Sequence, residues 1–326
     1  MRIPMVDAQS ALSFLTQQAT TIEATVIRIL YPDIQYPNLV PVDTSANEWA
    51  KSITYFSMDK VGKADWFHHA AKDIPLADIT KTKFEHGIEM AAIGYRYTLE
   101  ELGQAMMVPG TNLTAERAEA AKRAYEEFVE ATTLSGDTAK GWTGLINDAN
   151  VTQAFVQADG GQSMGDTDGS PDWSDKDADQ ILRDVNDALT GVWTNSATIE
   201  MADTVLLPPA SFALLATKRI PQTTMTVLQF LQQYNVYTGQ TGQALMIRTL
   251  RELATAGNGG TGRMVVYRRD PSVLKLHLPM PHRFLPIWQT GPLVFDVPGI
   301  FRLGGLEIRR PGAVRYLDGV IDAEYA

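Results

Sequence analysis

A single stretch, residues 113–136, constrains the fold more than any other part of the sequence. It reads LTAERAEAAKRAYEEFVEATTLSG, and its apolar residues recur at three- and four-residue steps as one narrow stripe: Ala118, Ala121, Ala124, Tyr125 and Phe128. Charged side chains fill the other faces, with Glu119 and Arg123 spaced as a favourable i,i+4 pair. At about 1.5 Å per residue, this predicts a rod of roughly 33 Å. So narrow an apolar stripe is typical of a helix that lies across a sheet and turns its charged faces to solvent or to another subunit. A surface helix of an α+β enzyme shows the same pattern.

Composition narrows the class of protein. With 326 residues, 44% of them hydrophobic and 20% charged, the chain predicts one large globular domain or two ordinary ones. A net charge of −10 argues against nucleic-acid binding as the main task. The sequence has no cysteine, which excludes disulfides, thiol catalysis and cysteine-ligated zinc. Without a signal-peptide pattern or a long apolar run, we expect a soluble protein made in a cytoplasm.

The first 45 residues do not read as the start of a compact domain. A short helix is predicted over residues 8–18, followed by YPDIQYPNLVPVDTS, in which Pro32, Pro37 and Pro41 favour an extended strap over a helix. This strap is either a long surface loop or an arm that reaches a neighbouring subunit.

Two predicted strands follow and form a long hairpin. Residues 52–61, SITYFSMDKV, have the composition of a strand, which Gly62 ends. The return strand is predicted from Phe84 to Tyr97, with a slip in the apolar alternation at residues 91–92 that indicates a bulge. Arms of about ten residues make a hairpin over about 30 Å long. A lone hairpin needs a third partner, which is either its own domain or, as its polar content favours, another subunit.

The rest of the chain predicts a mixed fold. A capping box at Thr98 and Glu101 opens a short helix ending near residue 107, and residues 136–173 read as a loop. A second domain is predicted to start near residue 175, with helices at 177–192, 212–217 (capped by Ser211) and 225–234, and strands at 204–207 and 244–250. Further strands are predicted at 264–267, 273–278, 293–297 and 305–309.

No motif predicts convincing chemistry. Residues 257–262 fit the dinucleotide pattern G-x-G-x-x-G, but a strand follows them instead of a helix, so we interpret them as a turn. The acidic residues 166–172 form either a solvated loop or a calcium loop that lacks the EF-hand glycine and closing glutamate. The adjacent His68 and His69 would point to opposite sides of a strand. We therefore predict no catalytic, cofactor or metal site, and this favours a structural role over an enzyme.

Seven segments, spread over nearly the whole chain, carry a resemblance to a known family. They are YPNLVPVDTSANEWAKSITYFSMDKVGKA (36–64), KDIPLAD (72–78), ERAEAAKRAYEEFVEATTLSGD (116–137), GLIND (144–148), DTVLLPPASFALLAT (203–217), RMVVYRRDPSVLKLHLPM (263–280) and LEIRRPGAVRYLDG (306–319). Together they resemble the major capsid proteins of tailed bacteriophages, whose fold is shared with encapsulin shells.

The resemblance implies an α+β fold, the phage major capsid fold, and a division of the chain. Its parts would be an N-terminal arm (1–45), an extended β-hairpin loop or E-loop over the neighbouring subunit (46–84), a peripheral domain (85–177) with a spine helix (113–136), an axial domain (178–271), the long strands of the peripheral domain (272–310), and a return to the axial domain (311–326). The chain lacks the long helical N-terminal extension that serves some relatives as a fused scaffold, so assembly would need either a separate scaffolding protein or the strap alone.

The implied function is mechanical. Copies would self-assemble into hexamers and pentamers of an icosahedral head shell in the virion, enclosing double-stranded DNA without sequence-specific binding. The protein would be made in the host cytoplasm, with a separate scaffolding protein, a portal and a decoration protein as partners, and with no membrane or cofactor. Arg309 and Arg310 would temper a mildly repulsive inner wall if they face inward. An encapsulin-like compartment around a cargo enzyme and a soluble α+β enzyme remain alternatives.

The predicted inter-subunit contacts lie on the loop and on the spine helix. They are Asp59, Lys60, Lys63, Trp66, Phe67, Lys72, Glu119, Arg123 and Glu127. Because an exposed ion pair contributes only about 0–1 kcal/mol, we expect burial of Trp66 and Phe67 on a neighbour to dominate cohesion. For the loop lysines we expect simple contacts with carboxylates, not the covalent bond to asparagine that some relatives form.

Overall fold

A computed structural model of the chain describes residues 32–61, 78–101, 113–161 and 169–322. The chain divides into two compact units, residues 1–33 and 34–326, and the description that follows concerns the second unit. Within it helices and strands are mixed, as an α+β fold requires. The predicted helix at 8–18, residues 63–77 of the hairpin and the acidic residues 166–168 lie outside the described residues.

The α-helices of the described residues include one long rod and several shorter elements. In chain order they are α1 Tyr36–Leu39, α2 Leu113–Ser135, α3 Ala178–Asn195, α4 Pro209–Thr217, α5 Val227–Gln233 and α6 Val236–Thr241. The predicted helices at 113–136 and 177–192 are confirmed to within a few residues at their ends. Short 3₁₀ turns occur at Thr138–Lys140, Arg251–Ala254, Asn258–Gly260 and Pro311–Ala313.

The strands of the described residues form five small sheets. In chain order they are β1 Val42–Asp43, β2 Ser52–Val61, β3 Asp78–Gly87, β4 Glu89–Ala92, β5 Tyr95–Thr98, β6 Thr152–Phe155, β7 Thr204–Leu207, β8 Met246–Thr249, β9 Arg263–Tyr267, β10 Leu274–His277, β11 Met280–Phe284, β12 Trp288–Gly291, β13 Val294–Val297, β14 Gly299–Leu303, β15 Gly305–Ile308 and β16 Val314–Asp318. The sheet orders are β1-β10-β15, β11-β14-β4, β12-β13-β5, β6-β16-β9-β7-β8 and the pair β2-β3.

Two hydrophobic clusters make the core. One joins α1 and α2 to strands β10, β14 and β15, and the other joins α3, α4 and α5 to β7 and one face of β9. Helix α3 buries Ile181, Val185, Ala188 and Leu189, as its periodicity predicts. Strand β6 lies within residues 136–173, which were predicted to be a loop, and it pairs in parallel with β16.

The long helix α2 is buried more deeply than its stripe predicts. Phe128, expected to face inward, is 45% exposed, whereas its neighbour Val129 is fully buried. The last two turns also bury Thr132 and Thr133. Their hydroxyls donate to the carbonyls of Phe128 and Val129 at 2.8 and 2.7 Å, so these polar side chains enter the core with their hydrogen bonds made.

The strap departs from the predicted extended arm. Residues Tyr36–Leu39 form one turn of helix with Pro37 in its first turn, where proline is well tolerated. Leu39 and Val40 are fully buried, and Val42 pairs in parallel with Leu276 of β10. The part of the strap from residue 34 to 43 therefore packs on its own subunit instead of reaching away from it.

The hairpin is longer on its return side than the sequence predicts. Strands β2 and β3 pair in continuous antiparallel register from Ser52 opposite Gly87 to Val61 opposite Asp78. The return strand thus begins at Asp78, not at Phe84, because residues 78–83 are mostly polar and show no apolar alternation to reveal a strand. The outbound strand is the predicted one.

The slip in alternation at residues 91–92 is a change of partner, not a bulge in one strand. Strand β4 pairs with β14, whereas β5 pairs with β13 in another sheet. Gly94 separates them at a close approach, since a Cβ there would lie 2.3 Å from the carbonyl oxygen of Val297.

Local capping signals were partly right. Glu101 N donates to Thr98 Oγ1 at 3.3 Å and Thr98 N donates to Glu101 Oε2 at 3.0 Å, so that capping box is confirmed. The prediction for Ser211 was wrong, because α4 starts at Pro209 and the buried hydroxyl of Ser211 donates to the carbonyl of Val320 at 3.4 Å. The sequence pattern did not single out strands β11, β12, β14 and β16, although the resemblance assigned residues 272–310 to long strands.

Candidate assembly surface

One face of the hairpin combines exposed apolar side chains with lysines. The register places Phe56 opposite Lys83, Met58 opposite Lys81, and Lys60 opposite Ile79, so alternate residues of both strands share this face. Phe56, Met58 and Ile79 are 62%, 61% and 53% exposed. In the described part of the chain, no third strand pairs with the hairpin. We call these six residues the lysine-flanked face.

The root of the hairpin is anchored on its other face. The rings of Tyr55 and Phe84 stack with centroids 5.2 Å apart, and the guanidinium carbon of Arg309 lies 4.3 Å from the Tyr55 ring centre. On the same face, His86 donates from Nε2 to the carbonyl of Gly304. The hairpin therefore projects from a fixed base while its lysine-flanked face meets solvent.

The long helix presents an acidic surface. Residues 113–136 contain five glutamates and three basic residues. Glu130 differs from the other glutamates of the helix, because it accepts a hydrogen bond from the backbone N–H of Gln35 at 2.7 Å. Burial raises the pKa of its carboxyl group. Arg117 is held by Glu101 at 3.0 Å.

The predicted contact residues fall into three groups. Asp59 and Lys60 lie on β2, where Asp59 pairs in register with Thr80 and the side chain of Lys60 is exposed. Glu119 is exposed on α2, and Arg123 donates to Glu127 of the same helix at 2.9 Å. The remaining four lie outside the described residues: Lys63, Trp66, Phe67 and Lys72. The sequence did not single out Phe56, Met58 or Ile79, although their alternation with lysine was visible.

A second apolar region lies around strands β12 and β13, and the sequence did not predict it. Trp288 is 69% exposed, and Ile287 and Leu293 are also exposed. Nearby, Arg96 and Asp296 form a two-pronged ion pair across β5 and β13, with distances of 2.6 and 2.8 Å. This pair links strands β5 and β13 beside the exposed residues.

Buried ion pairs inside the subunit brace the fold. Arg263 holds both oxygens of Asp318 at 2.7 and 2.9 Å in the five-stranded sheet. Lys176 contacts Asp184 at 2.6 Å, and Arg183 spans Asp184 and Asp159 at 3.0 and 2.6 Å. Except for Arg183, whose side chain is 37% exposed, these groups are buried, and each buried charge has a partner where an unpaired charge would be costly.

The motifs considered for chemistry have structural roles where they are described. Residues 257–262 form a turn into strand β9, and Asn258 N donates to Asp318 Oδ2 at 2.9 Å. Asp172 accepts backbone N–H groups from Ser174 at 2.7 Å and Asp322 at 2.8 Å. Among the described residues, no cluster of three or more histidine and acidic side chains is arranged to hold a metal ion. None of the described helices combines the length and apolarity needed to cross a bilayer.

Comparison with known families identifies the class of protein. The family described as major capsid protein matches residues 62–320, which is most of the chain. The chain therefore belongs to the major capsid protein family, and it is a capsid protein of a phage-like shell. No curated protein matches the sequence significantly.

Solved capsid structures show the same fold. The capsid of Myoviridae phage XM1 matches with a TM-score of 0.75 at 17% identity, over 93% of this chain and 97% of that one. Microbacterium phage Oxtober96 gives 0.61 at 12% identity, over 96% and 98%. The capsid of an empty GTA particle gives 0.60 at 12% identity, over 96% and 97%. The predicted phage major capsid fold is confirmed, and the encapsulin-like and enzyme alternatives are not favoured.

Proposed function

We propose that copies of this chain form the hexamers and pentamers of an icosahedral head shell around double-stranded DNA. In that shell, the hairpin of each subunit lies on a neighbour. The observation that supports this arrangement is the lysine-flanked face. Its three apolar side chains are more than half exposed on a ribbon whose root is anchored and with which, among the described residues, no third strand pairs.

Burial of that face supplies the cohesion. Fully burying a large apolar side chain is worth about 1.5–3 kcal/mol, so covering the exposed parts of Phe56, Met58 and Ile79 contributes roughly 3–5 kcal/mol per hairpin. An exposed ion pair contributes only about 0–1 kcal/mol. Because every subunit repeats the contact, a modest energy per hairpin closes a stable shell.

The hairpin binds to the acidic long helix of the neighbouring subunit. Lys60, Lys81 and Lys83 surround the apolar centre of the hairpin face, whereas α2 carries an excess of glutamates. Opposite charges of this kind orient an interface more than they strengthen it. In this arrangement Glu119, Arg123 and Glu127 receive the hairpin. We propose Asp59, Lys63, Trp66, Phe67 and Lys72 as further contacts to the neighbouring subunit.

The proposed domains follow the two hydrophobic clusters. The cluster around α2, β10, β14 and β15 corresponds to a peripheral domain, and the cluster around α3, β7 and β9 corresponds to an axial domain. Within the arm proposed for residues 1–45, the segment from 34 to 43 serves as a fixed attachment on its own subunit.

The enclosed DNA is held without sequence-specific contacts in this proposal. Arg309 and Arg310, considered as inward-facing charges, are bound by Glu307 and Glu200 of their own subunit. With a net charge of −10, the subunit has little spare positive charge to attract phosphates. We further propose a scaffolding protein, a portal and a decoration protein as partners, and synthesis in the host cytoplasm.

Electron microscopy of the purified protein tests the proposal. We expect negative-stain images to show hexamers, sheets or closed shells at high protein concentration. A protein that remains monomeric in analytical ultracentrifugation at the same concentration, with and without added scaffolding protein, would overturn it.

A further inference from the structure

The turn between strands β8 and β9 carries an asparagine that is followed by glycine. Of the nine asparagines in the chain, Asn258 alone has a glycine as its next residue. Asn258 is exposed, and it lies in the turn of residues 257–262 that enters β9. The order of these two residues matters chemically, because the backbone nitrogen after an asparagine is the nucleophile nearest to its side-chain amide.

The backbone around Asn258 leaves this nitrogen unhindered. Gly259 has a φ of +75° and Gly260 a φ of +79°, in the left-handed region that favours glycine. A Cβ built on either glycine would meet nothing within 4 Å, so the peptide group between Asn258 and Gly259 lies beside open space. Because glycine has no side chain and wide backbone freedom, the nitrogen of Gly259 can approach the side-chain carbon of Asn258.

The side chain of Asn258 is also free to turn. Among the residues that the structure describes, its amide group makes no hydrogen bond, whereas its backbone N–H donates to Asp318 Oδ2 at 2.9 Å. Asn147 shows the contrast, because its side-chain oxygen accepts from Gly144 N and its side-chain nitrogen donates to the carbonyl of Ser135, each at 2.7 Å. An amide fixed in this way does not reach the nitrogen that follows it.

A threonine hydroxyl meets the same peptide group. Thr261 Oγ1 donates to the carbonyl oxygen of Asn258 at 3.0 Å. This carbonyl and the nitrogen of Gly259 share one peptide bond, and the nitrogen must lose its proton to attack. Because the peptide bond is conjugated, the negative charge of the deprotonated group spreads onto the carbonyl oxygen. A donor that is already placed on this oxygen stabilises the charge as it develops.

We propose that Asn258 is a modification site, at which the side-chain amide becomes a carboxyl group and the hydroxyl of Thr261 assists the reaction. The nitrogen of Gly259 bonds to Cγ of Asn258, the bond from Cγ to Nδ2 breaks, and ammonia leaves with the proton from Gly259. Water then opens the cyclic imide. Opening between Cγ and the nitrogen gives aspartate, and opening at the backbone carbonyl gives isoaspartate. Water is the only co-reactant, and nothing is oxidised or reduced.

The product places a new carboxylate beside a buried ion pair. Asp318 is bound by Arg263 through both oxygens, and its Oδ2 also accepts the N–H of Asn258. The reaction adds one negative charge to a subunit whose net charge is −10. In the isoaspartate form, the backbone between β8 and β9 is also longer by one carbon atom. Because the loss of ammonia is irreversible in solution, the modified fraction increases with the age of the folded protein.

Peptide mapping follows the reaction at this one position. Trypsin cleaves after Arg251 and Arg263, so residues 252–263 form a single peptide whose only asparagine is Asn258. The full chain is kept folded, dilute and unassembled in mildly alkaline buffer, so the result does not depend on the proposed shell function. We expect the peptide to gain the mass difference between an amide and a carboxyl group, and to separate into aspartate and isoaspartate forms.

The origin of the new oxygen and the effect of the fold are checked in the same experiment. Storage in water enriched in heavy oxygen should place one heavy oxygen atom in the product. A parallel sample unfolded in urea gives the reaction of the bare sequence. If the peptide 252–263 of the folded protein stays unchanged while the unfolded sample reacts, the turn protects Asn258 and the proposal is wrong.

Thr261→Val removes the hydroxyl and keeps the size of the side chain. The folded variant should react about two- to tenfold more slowly, which is the change in rate that one hydrogen bond accounts for. Thr255→Val is the matched control, because Thr255 is an exposed threonine of the same peptide, and it should react at the unchanged rate. In urea, both variants and the unchanged chain should react equally. Equal rates of the two folded variants, or a difference that persists in urea, would refute the role of Thr261.

Thr261→Ser separates the hydroxyl from the packing of the side chain. Serine keeps the donor and loses only a methyl group, so the folded variant should react as fast as the unchanged chain. If Thr261→Ser is as slow as Thr261→Val, the hydroxyl is not the group that assists the reaction.

Discussion

The guanidinium carbon of Arg309 lies 4.3 Å from the ring centre of Tyr55, and this contact joins the end of β15 to the outbound strand of the hairpin. Tyr55 also stacks on Phe84 of the return strand, with ring centroids 5.2 Å apart. One tyrosine thus ties both strands of a projecting ribbon to the body. The position of the lysine-flanked face depends on this small anchor.

Removing the anchor should loosen the hairpin without unfolding the subunit. Tyr55→Ala loses a cation–π contact and an aromatic pair, together worth roughly 1–3 kcal/mol. We expect faster amide hydrogen exchange in β2 and β3 and unchanged exchange in α3. Tyr234→Ala is the control, since the ring of Tyr234 packs at a tilt against Phe230 in another part of the molecule. Unchanged exchange in the hairpin of Tyr55→Ala would contradict the anchoring role.

Placing charge on the apolar centre of the lysine-flanked face should prevent assembly. The double change Phe56→Lys and Met58→Lys affects side chains that are more than 60% exposed, so the melting temperature should hardly change. Particles should be absent from electron micrographs. Ser57→Lys with Thr82→Lys adds the same charge to the opposite face of the ribbon and should still assemble. If both double variants assemble, or if neither does, the lysine-flanked face is not the assembly surface.

Shortening the hairpin tests its arm as a whole. Tyr55 and Phe84 lie directly opposite each other, so an Asn-Gly turn can replace residues 56–83 and keep the anchored root. This removes Asp59, Lys60 and the predicted contacts at the tip. We expect a folded subunit with unchanged circular dichroism in its helical bands that sediments as a monomer or small oligomer. Closed shells from this variant would show that the arm is dispensable.

Truncating two adjacent residues of the long helix should affect stability differently, because one is buried and the other is partly exposed. Val129→Ala creates a cavity at a fully buried site and should cost about 1–3 kcal/mol in urea unfolding. Phe128→Ala removes a larger side chain that is 45% exposed and touches Phe301 edge-on, with centroids 5.7 Å apart. Per heavy atom removed, Phe128→Ala should lower the free energy of unfolding clearly less than Val129→Ala does. The reverse order would place Phe128 in the core, as its stripe alone predicts.

Acid should weaken the subunit through Glu307. Burial acts to raise the pKa of this carboxyl group, but hydrogen bonds from His277 and Arg309 outweigh it and hold the pKa at about 2. The ionised form therefore stabilises the fold above pH about 4.5, and that contribution is lost as the pH falls towards 2. Glu307→Gln should flatten the dependence of stability on pH in this window, whereas Glu89→Gln, at an exposed carboxylate, should not. Parallel curves for Glu307→Gln and the unchanged protein would refute this assignment.

Sequence patterns predicted the elements whose signal is local. The long helix, α3, β2 and β7 were placed within a few residues, because each is marked by periodicity, strand-forming residues or a nearby stop. The family was also recognisable from segments distributed along the chain. The return strand from Asp78 was missed because both of its faces meet solvent, so polar residues alternate with polar residues. Strands β14 and β16 were missed because long-range pairing, not an internal pattern, stabilises them.

The candidate surface was only partly predictable. Lys60 was placed on the hairpin, but Phe56 and Met58 become a single face with Ile79 only through the register between two strands. Phe128 was expected to face inward but is 45% exposed, and Val129 is buried beside it. Neighbouring elements, and not the helix itself, determine which side of the helix is covered.

By itself, the sequence determined the helical rod, the outbound strand, the absence of thiol chemistry and the family, since these depend on residues close together or on composition. Only the tertiary structure decided that the strap is buried on its own subunit, which face of the hairpin is apolar, and that Asn258 contacts Asp318. These are contacts between residues far apart in the chain, and their formation depends on which surfaces the folded body excludes from water.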